Sequence, residues 1–305
     1  MNDVEAIYGQ TDSGMTIIEG NLFLNGQKPI QERTSFGLGE ILNAALDNDA
    51  KHIIISLGGI GSFDGGAGML QALGAKFYDD EANLVDVTKG AHVIKYIRRL
   101  DFSGIHPKLA EANIQVMSDF SSRLYGKQSE IMQMYPMLGM TQNEAAEIDN
   151  LVWYFSELFK SELRVTIGPI ERGGAGGGIA AVLNGLYQAE ILTSHELVDQ
   201  ITHLEDLVQQ ADLIIFGEGL NERDQLLETT TLRIADLTEK HHKTSIAICA
   251  TDDKFDLFEG KGVTAMFNTF IEMPESYTDF KMGLQIRHYT VQALKLLKTQ
   301  FDVNK

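Results

Sequence analysis

The sequence predicts an α/β protein in which parallel strands alternate with helices, and three observations support that class. A strand, a glycine-rich turn and a helix follow one another in residues 51–79. Apolar runs that end in a carboxylate recur at residues 114–119 and 213–218. Helical periodicity separates these runs, which is typical of domains with helices packed on a largely parallel sheet.

The glycine-rich turn in residues 51–79 is the feature around which the rest is arranged. The β-branched residues 53–55 predict a buried strand, and Met69, Leu70 and Leu73 have the spacing of one helix face. Glycines let backbone N–H groups approach a phosphate or carboxylate, and a helix N-terminus adds partial positive charge. Asp64 can cap this helix, or hold a metal ion or a hydroxyl group. The turn therefore has two interpretations, a simple tight connection between strand and helix or an anion-binding site.

Composition excludes several classes of partner. The 305 residues suffice for two domains or one large one, and a hydrophobic content of 44% supports a sizeable core. A formal net charge of -18 argues against nucleic acid and against an anionic membrane surface. The only cysteine, Cys249, lies in an apolar run, which predicts a buried thiol and a reducing, cytoplasmic setting. We find neither a signal peptide at the acidic N-terminus nor a bilayer-spanning run.

The elements around this turn follow the same α/β pattern. We expect a hairpin from residues 4–8 and 15–19, then a helix from Thr34 or Ser35 through Leu46. Residues 144–163 form the clearest amphipathic helix, with Trp153 off its apolar stripe. Helical periodicity over residues 197–208 precedes strands at 213–216, 245–250 and 263–267. Helices are expected at 223–237 and 277–297, the last with Leu284, Val291, Leu294 and Leu297 inward.

Two further segments have the composition of ligand-binding loops. Asp119 and Glu218 each follow a predicted strand, at the end where open α/β sheets bind their ligands, although each could be a plain turn residue. Residues 173–178 contain five glycines before a run of small apolar residues. This cluster lacks the preceding strand of a dinucleotide fingerprint and the Lys-Ser/Thr ending of a P-loop. The glycine cluster therefore has two interpretations, a phosphate-binding loop or a hinge.

These segments, in this order, resemble the bacterial type-1 glycerate kinase family over nearly the whole chain. The sequence DGGAGMLQALGAKF at residues 64–77 is the most specific match. The sequences TSFGLGEILNAALD, DFSGIHPKL, GGAGGG and ADLIIFGEG are similar to further family motifs. The resemblance implies a glycerate kinase-like second (inserted) α/β domain at residues 1–188. Residues 189–305 would then be the remainder of a Rossmann/flavodoxin-like first domain that lacks its first strand–helix unit.

The resemblance also implies an activity, which is ATP-dependent phosphoryl transfer, with Mg²⁺, to a hydroxyl group of glycerate. Asp64 and Asp119 match family aspartates expected near the chemistry, without a distinction between base and metal roles. The residues expected to bind substrate or phosphate are Gly58, Gly59, Ser62, Gly65, Gly66, Gly174, Gly176, Gly177 and Glu218.

The chain departs from the family pattern at several of these motifs. No DSFKGS-type loop opens the sequence, Leu220-Asn221-Glu222 replaces a family RID, and Glu228-Thr229 replaces a Gly-Lys pair. Most departures remove a polar or cationic group, and one charged contact to a transferring phosphate contributes several kcal/mol. The alternative is therefore a catalytically inactive or truncated relative that acts as a binding or regulatory protein. We expect either a homodimer or a separate chain that supplies the missing N-terminal unit.

Overall fold

The computed structural model describes residues 7–20, 28–59, 61–219, 229–250, 256, 258–269 and 279–303. The chain divides into two compact units, Met1–Thr193 and Ser194–Lys305. The predicted boundary after residue 188 lies shortly before this division. Both units combine helices with largely parallel sheets, so the α/β class is confirmed.

The N-terminal unit contains a five-stranded sheet in which all strands but one are parallel. Its strands are β1 (Gly9–Gln10), β2 (Met15–Glu19), β3 (His52–Ser56), β6 (Asn113–Met117) and β7 (Glu190–Leu192), in that spatial order. β1 pairs with β2 as a hairpin, as predicted, but its first strand is Gly9–Gln10 and not residues 4–8. Residues 7 and 8 are not in a strand, and residues 4–6 lie outside the described residues. A separate antiparallel pair is formed by β4 (Lys76–Tyr78) and β5 (Arg99–Asp101).

Helices cover this sheet and bury its apolar residues. They are α1 (Phe36–Asp47), α2 (Ala67–Ala72), α3 (Glu130–Met134), α4 (Gln142–Leu158) and α5 (Ile179–Tyr187). α1 and α2 pack so closely that a Cβ on Gly39 would lie 2.4 Å from the Met69 carbonyl oxygen. Phe155 of α4 makes edge-to-face contacts with Phe77 and Phe159 in the core. Trp153 is 47% exposed, as its position off the stripe predicts.

The C-terminal unit contains a three-stranded parallel sheet. Its strands are β8 (Leu213–Glu218), β9 (Thr244–Cys249) and β10 (Ala265–Asn268), with β9 in the centre. Its helices are α6 (Ser194–Thr202), α7 (Leu204–Gln210), α8 (Thr230–Lys240) and α9 (Asp279–Val303). Residues 223–228 of the predicted helix before β9 lie outside the described residues. Cys249 is fully buried, as predicted.

An ion-pair cluster connects α7 with the end of α8. Glu205 lies 2.6 Å from the Lys240 Nζ and 2.7 Å from the His241 Nε2. Hydrogen bonds from Lys240 and His241 lower the pKa of Glu205 from its ordinary 4.5 to about 2. This carboxylate therefore stays charged at nearly every pH at which proteins are studied.

The predicted inward face of α9 is wrong for three of its four residues. Leu284, Val291 and Leu294 are 51%, 39% and 44% exposed. The helix packs through Ala293, with Leu297 beside it. Leu284 lies two and a half turns before Ala293, which places it on the opposite side of the helix. The sequence pattern indicated an amphipathic helix but could not say which of its two apolar faces meets the sheet.

Among the described residues, no helix combines the length and apolar character needed to cross a bilayer.

Candidate functional site

The carboxyl ends of β3 and β6 lie side by side and release two loops at one edge of the sheet. The strands are parallel, with Ser56 in register with Met117. The Leu57 N–H donates to the Met117 carbonyl oxygen at 2.9 Å, which continues the pairing for one more residue. The loops at 57–66 and 118–129 therefore start from the same edge, where α/β sheets bind ligands.

The second glycine cluster packs against both of these loops. The Gly65 N–H donates to the Gly177 carbonyl oxygen at 2.9 Å, and the Gly174 N–H to the Ser122 carbonyl oxygen at 3.2 Å. Gly177 has a φ of +64°, and a Cβ there would lie 1.9 Å from the Ser62 carbonyl oxygen. Glycine is required at Gly177 because both the left-handed backbone and the close approach exclude a side chain. Three segments far apart in sequence thus form one structure.

Asp64 is fully buried and holds the N-termini of α1 and α2 together. Its Oδ2 accepts hydrogen bonds from the Ser35 N–H at 2.7 Å, the Ser35 hydroxyl at 2.9 Å and the Gly68 N–H at 3.1 Å. Its Oδ1 accepts from the Gly66 N–H at 3.1 Å. Burial raises the pKa of Asp64, and the hydrogen bonds from Ser35, Gly68 and Gly66 oppose that rise. These contacts are those of a helix cap, while the catalytic role predicted for Asp64 stays a prediction.

The loop that carries Asp119 is held by a carboxylate on α4. Asp119 is half-buried and follows β6 by two residues. Both carboxylate oxygens of Asp149 accept the Gly126 N–H, at 3.0 and 2.8 Å. Burial raises the pKa of Asp149, and hydrogen bonds from Ser129 and Gly126 oppose the rise. Asp149 therefore orders the loop, and Asp119 is the predicted catalytic residue with the more open surroundings.

Several predicted phosphate-binding glycines already use their N–H groups inside the protein. The amides of Gly65 and Gly174 bond to backbone oxygens, and that of Gly66 bonds to Asp64. The Gly177 N–H donates to the buried Glu130 Oε2 at 3.1 Å. Gly176 is buried, with a φ of +63°. Their predicted phosphate contacts stay predictions, while these hydrogen bonds show that the cluster has a packing role.

The loop after β3 differs, because four of its amides have no partner within the described part of the chain. Gly58 and Gly59 are exposed. Among the described residues, the N–H groups of Gly58, Gly59, Gly61 and Ser62 make no hydrogen bond. The Ser62 hydroxyl is buried and also lacks a partner within the described part of the chain. This segment retains the hydrogen-bonding capacity that an anionic ligand needs.

Glu218 belongs to the C-terminal unit, at the end of β8. It is half-buried, and its Oε2 accepts a hydrogen bond from the Thr231 hydroxyl. Thr229 caps α8, with its hydroxyl accepting the Leu232 N–H at 3.4 Å. The departures at residues 220–222 and 228 lie outside the described residues. The role of Glu218 in binding stays a prediction.

Sequence reasoning missed two carboxylates that support the site, one buried (Glu130) and one half-buried (Asp149). Glu130 lies at the start of α3 and Asp149 within α4, where each looks like an ordinary polar position in a helix. No local signal identifies them, since both act on glycine amides distant in sequence. A surface cavity of about 340 Å³ is lined by other residues, including Gln71, Lys76 and Asp86. Over the described residues, no three His, Cys, Asp or Glu side chains form a metal-binding group.

Comparison with known proteins agrees with the sequence and the fold. The model of the glycerate kinase family matches residues 2–288. The chain is 31% identical over 236 residues to a glycerate 2-kinase of Escherichia coli K12, covering 77% of this chain and 61% of that protein. It is 29% identical to a glycerate kinase of Halalkalibacterium halodurans, covering 82% and 64%, and 27% identical to one of Bacillus subtilis, covering 98% and 81%.

A solved structure of similar sequence has the same fold. A crystal structure from Salmonella typhimurium LT2, described as a "putative glycerate kinase 2", superposes with a TM-score of 0.79 at 27% identity. The superposition covers 97% of this chain and 80% of that one. The matches to the first two curated relatives span about three fifths of those proteins' length. With a family match over nearly all of its residues, the chain belongs to the glycerate kinase family.

Proposed function

We propose that this chain carries out ATP-dependent phosphoryl transfer to a hydroxyl group of glycerate. The proposal rests mainly on one arrangement. Asp119 and the loop amides of Gly58, Gly59, Gly61 and Ser62, which lack a partner among the described residues, follow two neighbouring strands at the same edge of one sheet. A carboxylate beside an anion-binding loop is the combination that phosphoryl transfer needs, because positioning and charge neutralisation supply most of the catalysis. The family membership and the names of the relatives support the same reaction.

Asp119 is the residue that best fits a direct role. A half-buried carboxylate can accept the proton of the attacking hydroxyl group or hold Mg²⁺, which needs only one or two carboxylates besides phosphate oxygens. Asp64 fits a ligand role less well, because its oxygens already accept four hydrogen bonds at 3.1 Å or less. Bound ATP with Mg²⁺ would supply the transferable phosphoryl group and neutralise its charge. The buried thiol of Cys249 is consistent with a cytoplasmic enzyme.

A non-catalytic relative that only binds ligands is the second candidate. It is favoured by the internal hydrogen bonds of Gly65, Gly66, Gly174 and Gly177, which leave fewer amides for a triphosphate. The losses of cationic residues in the sequence point the same way. The kinase, by contrast, would act alone, as a homodimer or together with a separate chain.

A coupled assay for ADP release, with glycerate, ATP and Mg²⁺ at high protein concentration, distinguishes the two. We expect turnover that Asp119→Asn lowers about a hundredfold or more, the range for loss of a general base. Asp80→Asn, which removes an exposed carboxylate from the same unit, serves as the matched control and should leave turnover unchanged. Absence of turnover, together with a glycerate-dependent rise in melting temperature, would favour the binding protein.

A further inference from the structure

The open glycine loop has a cation beside it that no family motif quoted above includes. Arg33 is half-buried and lies three residues before the first residue of α1. Its Nε donates to the Lys28 carbonyl oxygen at 2.9 Å, and its Nη1 lies 3.4 Å from the Gly61 carbonyl oxygen. These contacts hold the guanidinium group against the loop, 28 residues away in sequence.

The close approach of Arg33 depends on the absence of a side chain at Gly61. A Cβ at Gly61 would lie 2.6 Å from the Arg33 Nη1. The glycine therefore makes room for the guanidinium group. Burial lowers the pKa of Arg33, because the guanidinium group has lost part of its hydration.

We propose that Arg33 and the N–H groups of Gly58, Gly59, Gly61 and Ser62 form a site for one oxyanion group of the ligand, either a carboxylate or a phosphoryl group. A guanidinium group presents five N–H donors in a planar fork that matches two oxygens of such a group. The loop amides and the Ser62 hydroxyl, which is buried without a partner among the described residues, add uncharged donors.

This inference deepens the proposed function and rests on it for the identity of the ligand. Glycerate carries a carboxylate and ATP carries phosphoryl groups, so either could supply the oxyanion. In both cases Arg33 would replace part of the positive charge that the family motifs provide at positions this chain has changed. The site itself does not depend on turnover and can be tested by binding alone.

The test uses NMR of the full chain labelled with ¹⁵N-glycine, so that Gly58, Gly59 and Gly61 report on the loop directly. Inorganic phosphate and glycerate are titrated separately at constant ionic strength, with sodium chloride as the reference salt. We expect one of the two anions to shift these three resonances in a saturable way. Arg33→Gln should weaken that binding about tenfold or more, and Arg33→Lys should restore part of it.

The matched control is Arg99→Gln, which removes the same charge from β5 of the same unit. Arg99 is exposed and packs over the Tyr78 ring, so its loss changes the net charge but not the loop. Equal affinity in wild type and Arg33→Gln, with both proteins folded by circular dichroism, would overturn the proposal, as would loop resonances that neither anion moves. Saturable loop shifts without turnover would keep the site and reject the kinase, so the two proposals fail separately.

Discussion

Removing the Asp64 carboxylate should destabilise the N-terminal unit strongly, because one side chain satisfies donors from two helices. In Asp64→Ala the N–H groups of Ser35, Gly66 and Gly68 and the Ser35 hydroxyl lose a buried acceptor. Each buried donor left without a partner costs about 1–3 kcal/mol. The desolvation cost of the carboxylate disappears at the same time, which offsets part of the sum. We expect a net loss of about 3–5 kcal/mol, a large share of the ~5–15 kcal/mol typical of a folded protein.

Asp64→Asn is a milder version of the same change. The amide keeps one oxygen acceptor but turns an NH₂ group toward backbone N–H donors on the other side. The Oδ2 position has more donors than the Oδ1 position, so the amide oxygen should occupy the former and leave the Gly66 N–H unsatisfied. The expected loss is about 1–3 kcal/mol.

Urea unfolding and thermal unfolding measure the stability of the N-terminal unit in both variants. Trp153, the only tryptophan of the chain, lies on α4 of the N-terminal unit, so its fluorescence reports on that unit. For a unit of this size, 1 kcal/mol corresponds to about 2–4 °C in melting temperature, so Asp64→Ala should melt about 10 °C lower. The exposed-site variant Asp80→Asn should stay within about 0.5 kcal/mol of wild type.

The outcome separates a structural from a catalytic Asp64. Wild-type stability in Asp64→Asn, combined with loss of ADP release, would refute the reasoning from hydrogen bonds and assign the carboxylate to the chemistry. Loss of stability with turnover retained in the folded fraction would assign it to the cap.

Three further predictions address other parts of the molecule. Gly68→Ala should fail to give soluble protein, because its Cβ would lie 2.2 Å from the Thr34 hydroxyl oxygen and 2.5 Å from the Phe36 backbone nitrogen. Gly58→Ala, whose Cβ would meet no atom within 4 Å, should express and melt like wild type. Asp149→Asn should speed hydrogen exchange of the Gly126 amide about tenfold, measured by NMR, because the hydrogen bond loses its charged acceptor; an unchanged rate would contradict this role. Because its pKa is lowered, Glu205 stabilises the fold above its ordinary pKa of 4.5. The difference in unfolding free energy between wild type and Glu205→Gln should therefore fall as the pH drops toward 2. A difference that does not change with pH would contradict this role of Glu205.

Local patterns were sufficient for the identity and order of most described elements. The predicted helix ending at Leu46 is α1, the run after residue 113 is β6, and the stripe over residues 144–163 is α4 followed by one π-helical turn. These predictions succeeded because apolar periodicity and capping residues act over a few neighbouring positions. The same patterns could not orient α9, since the choice between two apolar faces depends on the sheet it meets.

The α/β class, the resemblance to the family and the positions of the glycine loops and carboxylates could be read from the residues alone. The hydrogen bonds that these groups make became known from the fold. Asp64 accepts hydrogen bonds from two helix ends, and the Gly177 amide donates to Glu130. The amides of Gly58, Gly59, Gly61 and Ser62 have no partner among the described residues and belong to the loop that Arg33 contacts. Three of these hydrogen bonds join residues that are 28, 29 and 47 positions apart, so no local pattern can specify which donor remains available for a ligand.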